Sequence, residues 1–241
     1  MNLYHKKRGL GFMLFKKNKA LASSSLLDLL RISNDTKLPY ERLQFKRNQV
    51  MIEENRSNDT LYILIEGVAV AYQSTSKEDS ILYFCGKNEL IGFLQPEIDN
   101  QTLFGFRAIS DVIVYKFDHS YLLERINATA EPVRLIQQLY IANTEALLWR
   151  EQLLHLPTDK RILAALLALG EKFGRTEPDG SYLIPYYFTQ KILGSYLHIA
   201  RTYVAINLQK LEKEGILTLS PKPWQIYKPE EQQLLLNEYF A

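Results

Sequence analysis

The sequence predicts an α+β chain: an N-terminal antiparallel β-roll, then a long helix, then a C-terminal winged helix-turn-helix. Three observations carry that prediction. Between Leu43 and Phe117, short β-branched and aromatic runs alternate with turns, a spacing that builds an antiparallel roll or barrel. From Pro132 to Pro157 the chain has no internal Gly or Pro, so a helix of ~25 residues and ~37 Å can form. Beyond Pro157 come a helix, a strand, two short helices joined by a tight connection, and a hairpin.

Residues 1–20 carry Lys6, Lys7, Arg8, Lys16, Lys17 and Lys19 and no acid, so a basic arm over 1–24 is expected ahead of the body. The chain as a whole is only +2, so the body is mildly acidic. Gly9–Phe15 between two basic clusters resembles a signal segment, but Lys16, Lys17 and Lys19 interrupt it where the apolar run should continue. Met13 is an alternative start. Ser23–Ser25 followed by Leu26, Leu27, Leu29, Leu30 and Ile32 reads as a short capped helix. The roll, expected within 25–129, includes Leu61–Ile65, Val68–Tyr72, Ile81–Phe84, Leu90–Phe93 and Val112–Tyr115. No apolar run approaches the ~18–20 residues of a membrane helix. The single cysteine, Cys85, excludes an intrachain disulfide and a Cys-ligated iron–sulfur cluster. It sits in an apolar strand and reads as core, and its presence alone fits a reducing, cytoplasmic setting.

Asp118 can cap a short helix, and Glu131-Pro132 opens the long one, with Pro in the first turn where its missing N–H costs nothing. The long helix, expected over 130–156, reads as a dimerisation helix. Val133, Ile136, Tyr140, Asn143, Leu147, Arg150 and Leu154 form a candidate interface stripe, in which a polar Asn143 can fix register. A second stripe through Leu139, Ala146 and Leu153 has nearly equal claim, and the alternative is a helix packed on its own sheet.

Within the C-terminal module, 157–241, Thr158 can cap a helix that ends near Gly174. The informative stretch is Thr189–Leu219. Thr189 caps a first helix with Ile192, Leu193 and Tyr196 inward; Leu197-His198-Ile199 makes the turn; and Val204, Leu208 and Leu211 mark the buried face of a second helix. Arg201, Thr202, Tyr203 and Ile206 are left toward the open side. A helix fits the major groove of DNA, its first turns reaching base edges while the preceding helix meets phosphate. Thr189, Gln190 and Lys191 are therefore phosphate candidates, and Lys222, in a wing bounded by Pro221 and Pro223, is a further backbone contact. Residues 186–213 carry Lys191, Arg201, Lys210 and Lys213 against Glu212 alone, so the positive charge is local.

These motifs resemble the Crp/Fnr superfamily of transcription regulators, whose sensor is a cyclic-nucleotide-receptor-like β-roll. The resemblance rests on Leu61-Tyr62-Ile63, Glu66-Gly67, Val70 and Leu90-Ile91-Gly92 in the roll. In the module it rests on Leu193-Gly194, Leu197, Arg201, Val204, Leu208, Leu211-Glu212 and Glu214-Gly215-Ile216. It implies a homodimer that binds partly palindromic double-stranded promoter DNA and contacts RNA polymerase. Several departures matter. Thr202 stands where relatives often carry Glu, Ile206 where a second Arg is common, His198 where the turn glycine is usual, and Ala200 where a Ser or Thr cap is usual. In the pocket Phe93 replaces the Glu that follows Gly92, and Thr102-Leu103 replaces the Arg-Ser pair that holds a cyclic phosphate, which argues against cyclic AMP. The four cysteines of the oxygen-sensing branch are missing, and neither Cys85 nor His119 is placed convincingly as a haem ligand. No effector-binding residue, resident cofactor or metal site is assigned. Glu53-Glu54 and Glu230-Glu231 read as solvated surface, and no catalytic constellation is present. The competing reading is a ligand-binding or protein-interaction module whose degenerate helix-turn-helix no longer reads specific DNA.

Overall fold

The computed structural model describes residues 40–76, 79–92, 97–98 and 101–239. The basic arm, Met13, the short helix expected after Ser25, and Phe93 lie outside these. The roll is built from two four-stranded antiparallel sheets. One has the order β1 (Glu41–Phe45), β10 (Val112–Asp118), β3 (Thr60–Glu66), β6 (Leu90–Ile91); the other has β2 (Val50–Ile52), β9 (Gly105–Ala108), β4 (Ala69–Gln73), β5 (Ser80–Cys85). A two-stranded hairpin, β7 (Glu97–Ile98) and β8 (Gln101–Thr102), completes it. The facing sides of the sheets meet in one core that includes Tyr62, Leu64, Tyr83, Cys85, Ile91, Phe106, Val112 and Val114.

Both outer faces of the roll are also apolar, and both are covered. Leu61, Ile63 and Phe117 pack beneath α1 (His119–Asn127) and the start of α2 (Pro132–Leu154), through Leu122, Ile126 and Leu139. Asp118 occupies the cap position of α1 without a side-chain cap bond, and Pro132 opens α2 as the sequence indicates. On the other side Val68, Val70, Phe84 and Ile109 join Trp149 and Leu153 of α2 in a core that continues into the C-terminal module.

That module runs α3 (Thr158–Phe173), β11 (Arg175–Thr176), β12 (Tyr182–Ile184), α4 (Gln190–Leu197), α5 (Arg201–Lys213), β13 (Leu217–Thr218), β14 (Trp224–Ile226) and α6 (Pro229–Leu236). The four strands form a small sheet in the order β11-β12-β14-β13. Thr158 is the first residue of α3 and not its cap; Pro157 takes that place and makes no side-chain cap bond.

The module rests on the roll. Phe84 of β5 meets Phe173, Phe188 and Tyr196 at ring-centroid distances of 6.2, 5.4 and 4.8 Å. A Cβ on Gly86 would lie 2.8 Å from Phe173 Cε1, so only glycine lets this turn approach so closely. Lys172 of α3 donates to the Phe84 carbonyl at 2.7 Å and pairs with Glu89 at 2.9 Å. Phe84→Ala would leave a void in a shared core, and roughly 3–5 kcal/mol of stability is expected to be lost. Chemical denaturation of the full chain measures this. A loss below about 1 kcal/mol would mean that the two parts are not joined through this side chain.

Candidate nucleic-acid interface

The helix-turn-helix is fixed by local chemistry. The Thr189 hydroxyl accepts from Ile192 N–H at 3.3 Å, which caps α4. Gly194 sits under the turn: a Cβ there would meet the Ile199 carbonyl at 2.6 Å. His198 takes the left-handed conformation, φ 54° and ψ 46°, which histidine tolerates better than most residues. Ala200 caps α5 with no side-chain bond, yet the helix runs thirteen residues because Val204, Leu208 and Leu211 are buried beneath it. At its end Ile216 N–H bonds Leu211 O and Gly215 N–H bonds Glu212 O, with Gly215 at φ +72°, a Schellman stop. The Glu212 side chain then accepts from Leu219 N–H and anchors the wing.

Arg201, Thr202, Tyr203 and Ile206 all lie exposed on the outer side of α5. Lys191 is exposed on α4, with Thr189 and Gln190 half-buried beside it. Lys222 is exposed in the wing, 5.3 Å from the Trp224 ring centroid. Not every basic residue keeps a free charge: Lys210 lies 3.8 Å from Asp159 and 4.0 Å from Glu214, so the local positive balance is smaller than composition indicates.

His198 does more than turn the chain. Its Nε2 lies 2.7 Å from Ser80 Oγ and 2.7 Å from Arg150 Nη2, while Arg150 also reaches Ser80 Oγ at 2.9 Å and the Tyr196 carbonyl at 3.0 Å. The Ser195 hydroxyl donates to the Asp79 carbonyl. Arg161 ties Leu154 O, Leu156 O and Leu197 O together at 2.7–3.1 Å. One cluster thus joins β5, α2 and the turn between α4 and α5. A guanidinium can only donate, so Nε2 must be unprotonated to accept from Arg150. Burial, and then the charges of Arg150 and Arg161, hold the imidazole below its ordinary range. The sign follows: the contact is fully present above that range and is lost as pH falls through it and below. Mild acid is expected to lower the thermal midpoint of the wild type more than that of His198→Asn, which keeps the left-handed turn but does not titrate. Parallel pH profiles would contradict this.

The α2 stripe divides differently from the sequence expectation. Val133, Tyr140 and Leu147 are exposed, by 66%, 50% and 39%. Ile136 packs against the core on the outer roll face, Asn143 and Leu154 are half-buried, and Arg150 turns to His198. Ile141 and Leu148 complete the exposed set, while Leu139, Trp149 and Leu153 are buried on the chain's own core. Both stripes follow helical spacing, one in steps of three and four and the other in steps of seven, so only the cover on one flank tells them apart.

In the roll, Thr102 is buried and its hydroxyl donates to the Glu53 carbonyl at 2.7 Å. Tyr83, Phe104 and Phe106 stand edge to face at 5.7–6.2 Å between the sheets. Cys85 is 2% exposed, and burial together with Glu89 pushes its thiol well above the ordinary range, which is the chemistry of an inert core thiol. Among the described residues there is no group of three or more potential metal ligands, and no helix is long and apolar enough to cross a membrane.

A two-sheet roll, a long helix and a winged helix-turn-helix, in that order, define the class of fold: an N-terminal β-roll joined by a long helix to a C-terminal winged helix-turn-helix module. The family model for the cyclic nucleotide-binding domain matches residues 42–129, and the described residues share the fold of solved transcription regulators of the Crp/Fnr type. It is similar to FixK2 from Bradyrhizobium japonicum, at 17% identity and TM-score 0.70, over 81% of this chain and 96% of that one. It is also similar to CLP from Xanthomonas campestris, described as a c-di-GMP-responsive global regulator, at 15% identity and TM-score 0.66, over 85% and 99% of the two chains. A CRP/FNR-family transcriptional regulator from Thermus thermophilus aligns at 19% identity and TM-score 0.65, over 82% and 98%. No curated protein matches by sequence.

Proposed function

We propose that the chain is a sequence-specific DNA-binding transcription regulator of the Crp/Fnr type that acts as a homodimer in the cytoplasm and is not an enzyme. The observation that carries this is the outer face of α5, where Arg201, Thr202, Tyr203 and Ile206 stand exposed on a helix whose other face is buried. Two such helices would enter successive major grooves ~34 Å apart on a partly palindromic promoter site. Thr189, Gln190, Lys191 and Lys222 would hold phosphates and set register. The chains would pair along the exposed α2 stripe, with the roll as the sensor and RNA polymerase as the downstream partner. The departures that favour a degenerate helix-turn-helix leave its geometry intact: Ala200 still opens a full helix, and His198 fills the left-handed turn. Enrichment of a random duplex pool on the full chain, followed by gel shift, tests the reading. One recurring, partly palindromic sequence supports it; binding that is only salt-sensitive and sequence-independent rejects it.

The roll is proposed to reject cyclic AMP. The Thr102 hydroxyl is committed to Glu53, and Tyr83, Phe104 and Phe106 take up the space between the sheets. Millimolar cyclic AMP is expected to leave the melting temperature unchanged, since only a ligand that prefers the folded state raises it. A saturable rise would contradict this.

A further inference from the structure

The last helix of the module exposes an apolar side. α6 is held by Pro229 and Leu236, both buried, with Leu236 in the core of the module. A surface helix ordinarily presents polar residues on its other side. Here that side carries Leu234 and Leu235, 68% and 62% exposed, and the 3₁₀ turn Asn237–Tyr239 that follows adds Tyr239, 48% exposed. Acids flank this apolar centre at both ends. Glu230 and Glu231 stand one turn before the leucines and Glu238 one turn after, all three exposed. Glu231 pairs with Lys228 at 3.2 Å, whereas Glu230 and Glu238 make no ion pair among the described residues. From Pro229 to Ala241 there are three acids and no base. Single apolar side chains are ordinary on a surface; three on one side of a short helix, set between acids, are not scattered.

We propose that this side of α6 is the docking surface for the basic arm of the same chain. The arm lies outside the described residues, but its sequence is the complement of the face. A basic cluster at Lys6–Arg8 precedes the apolar run Gly9–Phe15, and a second basic cluster follows at Lys16–Lys19, with no acid in residues 1–20. Basic, apolar, basic meets acidic, apolar, acidic. The leucines and Tyr239 would bury against the apolar run while the carboxylates face the lysines. Reach permits this: from Lys19 to Tyr40 the chain can span at most about 70 Å, against a radius of gyration of about 18 Å for a compact chain of this length. The contact is intramolecular, so a modest complementarity suffices. Duplex DNA or an anionic lipid surface would attract the arm's charge but would leave the α6 face uncovered. Docking would tie the start of the roll to the last helix of the module, and it is independent of what α5 reads.

Limited trypsin digestion of the full chain tests the docking, because the arm's own lysines and arginine are the cleavage sites and proteolysis follows the population of the open form. Leu234→Ser/Leu235→Ser is expected to speed loss of the arm by about 10-fold or more, the worth of one buried leucine. The thermal midpoint should hold, since both side chains lie off the core of the module. Glu230→Lys/Glu238→Lys should speed the loss by about 2- to 5-fold, as suits exposed ion pairs, and it decides the matter if the leucine variant melts early. Unchanged cleavage in the folded variants would overturn the proposal. A second readout uses the fact that Cys85, the one native cysteine, is buried. With Phe15→Cys and Leu235→Cys, a short bis-maleimide should join the two within one chain. Phe15→Cys with Tyr203→Cys, at a site equally exposed at 62%, should not be joined. Equal joining at both sites, or a crosslinked dimer alone, would contradict same-chain docking. Arm protection that arises only with added duplex DNA or phosphatidylserine vesicles would assign the arm to those partners and overturn the proposal as well.

Discussion

Arg201→Ala is expected to abolish discrimination between the specific site and random DNA while leaving the fold unchanged. A bidentate arginine–guanine pair contributes about 1–3 kcal/mol of discrimination, and a dimer makes two, so the loss is roughly 2–6 kcal/mol, or more than about 30-fold. Because Arg201 is exposed and opens its helix, its removal leaves the buried Val204, Leu208 and Leu211 in place. Lys191→Ala should behave in the opposite way: it weakens binding to every sequence alike and lowers the salt slope by about one per chain. Gel shifts over a salt series with specific and scrambled duplexes separate the two. Arg201→Ala binding with unaltered specificity would show that α5 is not the reading helix.

Leu148→Glu is expected to convert the protein to monomers and to reduce DNA affinity by about 100-fold or more, since linking two half-site readers is worth ~10²–10⁴. Leu148 is 55% exposed and stands with Ile141, itself 48% exposed, on the side of α2 away from its own core. Near a two-fold axis a new carboxylate would face its own copy, and two unpaired charges cannot be buried cheaply. Leu139, Trp149 and Leu153, which hold α2 to the chain's own core, are untouched. Light scattering and helical signal should therefore report a folded monomer. A dimer of normal DNA affinity would contradict pairing along this stripe.

The winged helix-turn-helix was legible in the sequence because each of its determinants is local. Thr189, Gly194, Gly215 and the spacing of Val204, Leu208 and Leu211 act within a few residues of one another. Five of the roll strands, β3, β4, β5, β6 and β10, were legible for the same reason, whereas β1, β2, β9 and the short hairpin β7–β8 were not named. The docking of the module on the roll left a weaker trace. Ile81-Leu82-Tyr83-Phe84 is apolar at every position, a pattern that marks a strand buried on both faces, but it does not say what covers the second face. The exposed face of α2 was half legible: the stripe read from the sequence includes the exposed Val133, Tyr140 and Leu147 but not the exposed Ile141 and Leu148, because helical spacing offers two stripes and only tertiary cover chooses between them. The Ser80–Arg150–His198 cluster left no readable signal. Ser80 and His198 are 118 positions apart, and nothing local to a turn histidine announces a partner at that distance.

The central claim, that two copies read two half-sites, is tested most directly by hydroxyl-radical footprinting of the full chain on its enriched duplex, with stoichiometry measured on the same complex. Two protected patches centred one helical turn apart, ~34 Å, with two chains per duplex, is the predicted result. Uniform protection without patches, or one chain per site, would contradict it.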